Sequence, residues 1–300
     1  MKTVVIAGGS GFLGQILKSY FTQKAYKVYT LTRHPKFDND LYWDGKTLGK
    51  WTQYLEHTDV LINLSGRSVD CRYNDTNRKA IYDSRIDSTN VLGLAINLCD
   101  NPPKTWINTS TATIYKHSLD KAMNEHNGDI GNDFSMNIAK SWEAAFNSIV
   151  NPKTRKIILR TSIVFGKQGG ALKPLSQLTS LGLGGRNGNG KQKVSWIHEL
   201  DFARAIEYLI IDQSLTGVFN LSSPNPVSNN SLMKQLRIVK KVPFGIGQPV
   251  WLVKLGARLM QTEEELVLKS RFVLPSRLLE SGFEFRFDKI DDALLDLLRD

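Results

Sequence analysis

Val4-Val5-Ile6-Ala7-Gly8-Gly9-Ser10-Gly11-Phe12-Leu13-Gly14 opens on a β-branched apolar run and passes through closely spaced glycines into a new periodicity. The run from Lys2 to Ala7 has the composition of a buried parallel strand, and Phe12, Leu13, Ile16, Leu17, Tyr20 and Phe21 then recur at helical spacing. A strand that feeds a helix through glycine is the entry to a doubly wound α/β sheet. The first glycine permits the tight turn, the second admits a pyrophosphate against the backbone, and the third lets helix pack on strand. The free N–H groups and positive end of the helix face the same anion. A dinucleotide held by Gly8, Gly9, Ser10, Gly11, Phe12, Leu13 and Gly14 is therefore the first expectation. The spacing Gly8-x-x-Gly11-x-x-Gly14 is one residue longer at its first gap than the NAD fingerprint, and a purely structural turn is the alternative.

An acidic residue about 20 positions beyond the loop would bond the adenosine ribose of NAD. None stands there. The strand Lys27-Val28-Tyr29-Thr30-Leu31 ends in Thr32-Arg33-His34-Pro35-Lys36, which offers a hydroxyl and cations. That chemistry suits a 2′-phosphate, so Thr32 and Arg33 select NADP(H), the alternative being a solvated loop. A charge-assisted hydrogen bond contributes about 1.5–3 kcal/mol, roughly a tenfold to hundredfold preference over NAD.

Strands and helices go on alternating. Leu41-Tyr42-Trp43 reads as a third strand, Trp51 to His57 as a short helix and Val60-Leu61-Ile62-Asn63-Leu64 as a buried fourth strand. Leu64, Ser65 and Gly66 fall at its carboxyl end, where ligands lie in such sheets. Asp75 to Cys99 reads as one long helix on which Arg78 and Arg85, seven apart, share a face. One of them leans over the phosphates, or both line a solvated face.

The 300 residues, 41% hydrophobic, suffice for one large core or two joined lobes. No secretion signal and no membrane-spanning apolar run is apparent, which predicts a cytoplasmic protein without membrane partners. Cys71 and Cys99 match no CxxC or histidine-containing pattern, so neither disulfide nor metal is expected. The net charge of +10 is spread along the chain without interleaved aromatics, which argues against nucleic acid and for attraction of an anionic small molecule.

A fifth strand, Thr105-Trp106-Ile107-Asn108, runs into Thr109-Ser110-Thr111-Ala112-Thr113-Ile114-Tyr115. This segment resembles the Ser-Ser-Ala-x-Val-Tyr-Gly stretch of the extended short-chain dehydrogenase/reductase superfamily. The resemblance implies that Thr111 holds the substrate oxygen, with Ser110 beside it and Thr109 near the cofactor. Completing the strand and bonding backbone is the alternative for Thr109 and Ser110. The superfamily also places a Tyr-x-x-x-Lys pair on the next helix, where lysine lowers the tyrosine pKa. Here the helix reads Phe134-Ser135-Met136-Asn137-Ile138-Ala139-Lys140-Ser141-Trp142-Glu143. With Glu143 as register mark the pair falls on Ser135 and Ala139; with Lys140 the tyrosine position is Met136. Neither register supplies a phenol.

Taken whole, the chain resembles an atypical subgroup of "epimerase family", nucleoside-diphosphate-sugar epimerase-like proteins. Asn63-Leu64-Ser65-Gly66, Ser84-Arg85 with Thr89, Ser110 to Tyr115, Leu181 to Gly185, Gly188-x-Gly190-x-Gln192 and Trp196-Ile197-His198-x-x-Asp201 carry that likeness. It implies NADP binding without the Tyr-Lys pair, and pairing into a homodimer through the long helices beside the site. It also implies that Ile157 to Gly166, the sixth strand and the loop after it, brings Ser162, Ile163 and Val164 to the nicotinamide, core packing being the alternative for Ile163.

Gly169-Gly170 and the glycines between Gly182 and Gly190 predict a mobile loop at the cleft. Gln192, Trp196 and His198 after it form a set that could grip a sugar. His198 is a candidate proton donor or a structural residue, and Asp201 reads as a helix N-cap. Phe219 to Pro224 returns to the sheet. From about residue 249 the periodicity predicts a packed helical cap resembling the subgroup's C-terminal extension. The expected division is a Rossmann domain over 1–166, with 201–222 returning to it, and a substrate lobe from 167–200 and 223–300. Two functions remain: an NADP-dependent oxidoreductase or sugar-nucleotide epimerase with a rearranged proton relay, and a non-catalytic NADP(H) sensor.

Overall fold

A computed structural model describes residues 1–299. Strand β1 (Thr3–Ala7) leads through the glycine turn into α1 (Phe12–Gln23), and β2 (Lys27–Thr32) and β3 (Asp40–Tyr42) follow. A single 3₁₀ turn, Lys50–Tyr54, stands where a short helix was expected, and it delivers the buried Trp51 to the sheet. Then come β4 (Val60–Asn63), α2 (Asp75–Asn97), β5 (Thr105–Thr111), α3 (Phe134–Ser148) and β6 (Arg155–Thr161). Beyond them lie β7 (Ile163–Phe165), α4 (Leu172–Leu178), β8 (Lys193–Val194), β9 (Trp196–His198), α5 (Glu199–Ile211), β10 (Gly217–Leu221), β11 (Val227–Ser228) and α6 (Asn229–Val239). The chain ends in α7 (Val250–Leu259), α8 (Glu265–Leu268), α9 (Ser276–Glu280) and α10 (Ile290–Leu298).

Seven strands form one parallel sheet in the order β10-β6-β5-β4-β1-β2-β3. Val4, Val5 and Ile6 have no solvent exposure, because helices cover both faces of the sheet. The order reverses between β1 and β4, which opens a crevice at their carboxyl ends. Truncating Ile6 to alanine would cost about 2–5 kcal/mol.

The glycine-rich stretch differs from the mobile loop expected of it. Its first part is helical: α4 continues as a wide helical turn over Thr179–Leu183 that breaks at Gly182, whose φ is 78°. The remainder is irregular but pinned. The Asn187 N–H donates to the Asn229 side chain at 2.8 Å, Gly188 N–H to the Gln248 carbonyl at 2.7 Å, and Gln192 Nε2 to the Asn187 carbonyl at 3.0 Å. Gly166, Gly169 and Gly170 lie against Phe12, where a Cβ at any of them would meet the ring at 2.7–2.8 Å. This loop is thereby clamped onto the first residue of α1.

Asp201 is not the N-cap. His198 caps α5 through Nδ1, which accepts the Leu200 N–H at 3.0 Å. Asp201 sits one turn inside, fully buried, and accepts the N–H groups of Arg286 and Phe287 at 3.0 and 2.7 Å. It ties the C-terminal segment to α5.

Candidate functional site: a dinucleotide crevice beside a rewired hydroxyl strand

Gly8 has a φ of 73°, and its N–H donates to the Leu31 carbonyl at 3.0 Å, so the turn needs the left-handed backbone glycine allows. A Cβ on Gly14 would lie 2.2 Å from the Gly9 carbonyl oxygen, which makes it the helix-to-turn contact. Gly11 differs. Its φ is −79°, and a Cβ there would meet nothing of the protein nearer than 3.9 Å. Neither conformation nor packing demands glycine at this position, so the backbone here is left open. No side chain caps α1 and no acidic residue stands in its first turn, so its N–H groups are left for an anion. Nearby, the buried Ser65 Oγ lacks a partner among the described residues and is 3.0 Å from where a Gly8 Cβ would stand. An open cradle and an unpaired hydroxyl fit a dinucleotide pyrophosphate.

The wall of the crevice is held by amides. Asn63 Nδ2 donates to Asn108 Oδ1 at 2.9 Å and to Thr89 Oγ1 at 3.2 Å, while Asn63 Oδ1 accepts the Ser65 N–H at 3.0 Å. Trp142 Nε1 donates to the same threonine at 2.9 Å. Leu64 is half-buried behind Ser65, and Gly66 is exposed where a Cβ would come within 3.0 Å of the Arg85 guanidinium. Arg85 thus reaches the crevice rim, whereas Arg78 lies over Phe134 at 4.6 Å. At the end of β2, Thr32 is buried and its Oγ1 accepts the His34 N–H at 3.3 Å, which leaves its proton to donate. Arg33 is exposed and forms no ion pair among the described residues.

The hydroxyl strand-end has been rewired. Ser110 Oγ donates to Glu143 Oε1 at 2.8 Å, and Glu143 is gripped from the other side by Arg160 through Nε at 3.0 Å and Nη2 at 2.8 Å. Arg160 Nη1 donates to Tyr115 Oη at 2.9 Å, and that phenol donates to Asn220 Oδ1 at 3.0 Å. Burial works against the Arg160 charge, but the Glu143 carboxylate overrides it and raises the pKa above the usual arginine value. Burial likewise raises the Tyr115 phenol, against the opposing pull of Arg160. Ser110 is therefore a strut of a buried network, and the expectation that it assists chemistry is replaced by that role. Thr111 is half-exposed; its Oγ1 accepts the Thr113 N–H at 3.2 Å and lies 2.9 Å from the Thr113 hydroxyl. Thr109 Oγ1 is buried and unpaired among the described residues.

His198 is 2% exposed. Besides its capping bond, its ring stacks on Phe287 at 3.9 Å and its Nε2 lies 3.3 Å from Asp296. Burial lowers its pKa, against Asp296 and Asp201, which raise it. With both nitrogens engaged beneath the C-terminal helix, it is a structural residue and not a proton donor facing the cleft. Gln192 and Trp196 are likewise buried, Trp196 stacked on Phe165 and donating to the Asn225 carbonyl at 3.2 Å, so the expected sugar-gripping set is core.

In the loop after β6, the Ser162 and Ile163 N–H groups donate to the Leu221 and Ser195 carbonyls at 2.9 and 3.3 Å. These backbone groups are unavailable to a nicotinamide. Ile163 instead offers a 36% exposed side chain beside the buried Val164, an apolar face for a ring.

On α3, Ala139 is fully buried and Met136 nearly so, while Ser135 Oγ donates to Glu265 at 2.5 Å. The phenol near this point comes from elsewhere. Tyr73, ahead of α2, packs edge-on to Phe134 at 4.8 Å, and its Oη is buried beside the Ser135 hydroxyl. Burial pushes its pKa up to about 12; the Ser135 hydroxyl opposes the rise and the carboxylates Glu265 and Glu263 add to it. Tyr73 has no sequence signal of its own, because its neighbours come from two other parts of the chain.

Residues 4–221 match the NAD dependent epimerase/dehydratase family. The chain belongs to that family. Residues 248–297 match a domain of unknown function, DUF1731, which coincides with the helical extension. The epimerase family protein YfhF of Bacillus subtilis is 31% identical, with 99% of this chain and 98% of that protein covered. The epimerase family protein SDR39U1 of Mus musculus is 30% identical over 98% and 99% of the two chains. A crystal structure of human SDR39U1 (isoform 2) with NADPH superimposes with a TM-score of 0.90 at 27% identity, covering 98% of each chain. The family member thus keeps the Rossmann-type sheet while lacking the Tyr-Lys pair.

Proposed function

We propose that this chain binds NADP(H) in the β1–β4 crevice and carries out oxidoreduction or epimerisation of a small carbonyl or hydroxyl compound. The observation that carries the reading is the contrast at the end of β5: Ser110 is consumed by Glu143, while Thr111 stays accessible beside the crevice. When bound, the cofactor supplies or accepts hydride. Gly11 leaves its backbone open to the pyrophosphate, α1 presents its N–H groups, and Thr32 and Arg33 face a 2′-phosphate. Thr111 orients the substrate oxygen through its hydroxyl. The human relative's structure with NADPH supports the cofactor assignment.

The lack of a phenol in either register, at Ser135 or at Met136, favours a second reading, an NADP(H) sensor with little turnover. Incubation with NADPH and a panel of sugar nucleotides and carbonyls separates the two. Turnover lost in Thr111→Ala supports the enzyme. Tight NADPH binding without turnover on any compound supports the sensor.

A further inference from the structure

Helix α7 leaves a long face bare. Trp251, Leu255 and Leu259, each four residues after the last, form one exposed row along it, and Lys254 and Arg258 stand exposed in the row beside them. Only Ala257 of this helix is buried. Trp251 is 66% exposed, whereas the other five tryptophans are at most 5% exposed. The apolar surface continues off the helix onto Phe244 and Ile246, 62% and 57% exposed. Both are held against the wide turn of Thr179–Leu183. The Ile246 N–H donates to the Gly182 carbonyl at 2.9 Å, and the Phe244 ring lies 3.2 Å from where a Gly182 Cβ would stand. A contiguous exposed apolar patch of this kind marks an interaction surface.

Its charge is of one sign. Between Asp212 and Glu263 the chain carries six lysines and arginines and no aspartate or glutamate, and between Glu143 and Glu199, the stretch that includes the wide turn, it is again free of acids. Arg186, Lys241, Lys254 and Arg258 are exposed and form no ion pair among the described residues. The acids that follow α7 are engaged elsewhere, Glu263 and Glu264 at 3.2 and 3.9 Å from Arg72 and Glu265 at 3.1 Å from Lys269. A partner for this face must take indole, alkyl chains and cations side by side. Nucleic acid has no apolar phase for Leu255 and Leu259. The headgroup boundary of an anionic bilayer has both, phosphates for lysine and arginine and acyl chains beneath them. No described helix is long and apolar enough to cross a bilayer, so contact is with the surface alone.

We infer that α7, with Phe244 and Ile246 beside it, docks this protein on an anionic membrane surface. Trp251, Leu255 and Leu259 enter the headgroup boundary while Lys254 and Arg258 reach lipid phosphates. The inference departs from the expectation of a chain without membrane partners, which follows from the lack of a spanning run and does not reach a helix lying in the interface. It is independent of the cofactor and of the substrate.

The test uses the full chain with vesicles of phosphatidylcholine alone and of phosphatidylcholine mixed with phosphatidylglycerol, by co-sedimentation and tryptophan emission. Because Trp251 is the one exposed tryptophan, a blue shift and a loss of acrylamide quenching on mixing report this face. The mixed vesicles should bind the chain, the neutral ones at least about tenfold more weakly, and added salt should lower the difference. Trp251→Ser with Leu259→Ser, and separately Lys254→Gln with Arg258→Gln, should melt like the wild type and bind the mixed vesicles at least about tenfold more weakly. Trp251→Phe should still sediment but lose the shift. The proposal falls if the wild type stays in the supernatant of the mixed vesicles, if neutral vesicles bind it equally, if either double variant sediments like it, or if Trp251 keeps its aqueous emission in the bound chain. It falls equally if light scattering shows the free chain to be a dimer in which acrylamide does not reach Trp251 and the paired serine substitutions return it to a monomer, because the face then belongs to a second copy.

Discussion

The two halves of the crevice are built on opposite logics. On the β1 side, the proposed function rests on what is missing: a side chain at Gly11, a cap on α1, an acid after β2. On the β5 side it rests on what is tied up, since Ser110, Glu143, Arg160, Tyr115 and Asn220 bind one another and leave Thr111 accessible. Backbone cradles are local, set by a few consecutive residues. Polar networks are assembled from distant ones, here spanning β5, α3, β6 and β10.

The sharpest way to break this contrast is at Glu143. Glu143→Ala strands the Arg160 guanidinium in the interior and should cost about 3–5 kcal/mol in urea unfolding. Glu143→Leu with Arg160→Met removes both charges and should recover most of that loss. If the double variant is no more stable than the single one, the pair is not the unit described. Neither change should alter NADPH affinity by more than about twofold once the protein is folded.

The glycine loop should respond in the opposite sense. Gly14→Ala drives a Cβ into the Gly9 carbonyl and should cost about 1–3 kcal/mol of stability and disrupt binding with it. Gly11→Ala meets open space at an allowed φ, so its melting should stay within about 0.5 kcal/mol of the wild type. Its NADPH affinity should nonetheless fall by at least about tenfold in calorimetry. An alanine at residue 11 that leaves both unchanged would show that no cofactor crosses this backbone.

The same division explains what was legible in the amino-acid order. The parallel sheet, the crevice and the loop glycines follow from periodicities and turn residues within about 30 positions of one another, and each appeared near its expected place. The commitment of Ser110 did not, because its partner lies 33 residues away and nothing around Glu143 names it. His198 and Asp201 misled for a related reason. The one read as a proton donor or a structural residue and the other as a helix N-cap, but their partners, Asp296, Phe287 and Arg286, arrive from the C-terminal segment and make both supports. The glycines after Gly166 spoke for flexibility, whereas they make room for Phe12 and for hydrogen bonds to the extension.

A smaller effect tests the rim of the cradle. Arg33→Ala removes an exposed cation without an ion-pair partner among the described residues, so stability should hold while the preference for NADPH over NADH shrinks by roughly tenfold. Equal affinities in the unmodified chain would remove the 2′-phosphate argument.

The slightest shift concerns His198, where the supporting role has a pH signature. Burial holds the folded imidazole below its ordinary value of about 6.5, so the folded state resists a proton that the unfolded chain accepts. Its contribution is therefore complete above about pH 6.5 and is lost as pH falls toward the lower folded value. Urea midpoints should drop between pH 7.5 and 5.5, and His198→Asn, which keeps a capping acceptor, should flatten part of that slope. A slope left intact by the substitution would assign the acid sensitivity to another group. A slope of opposite sign would mean that Asp296 outweighs burial and that the histidine is charged in the fold.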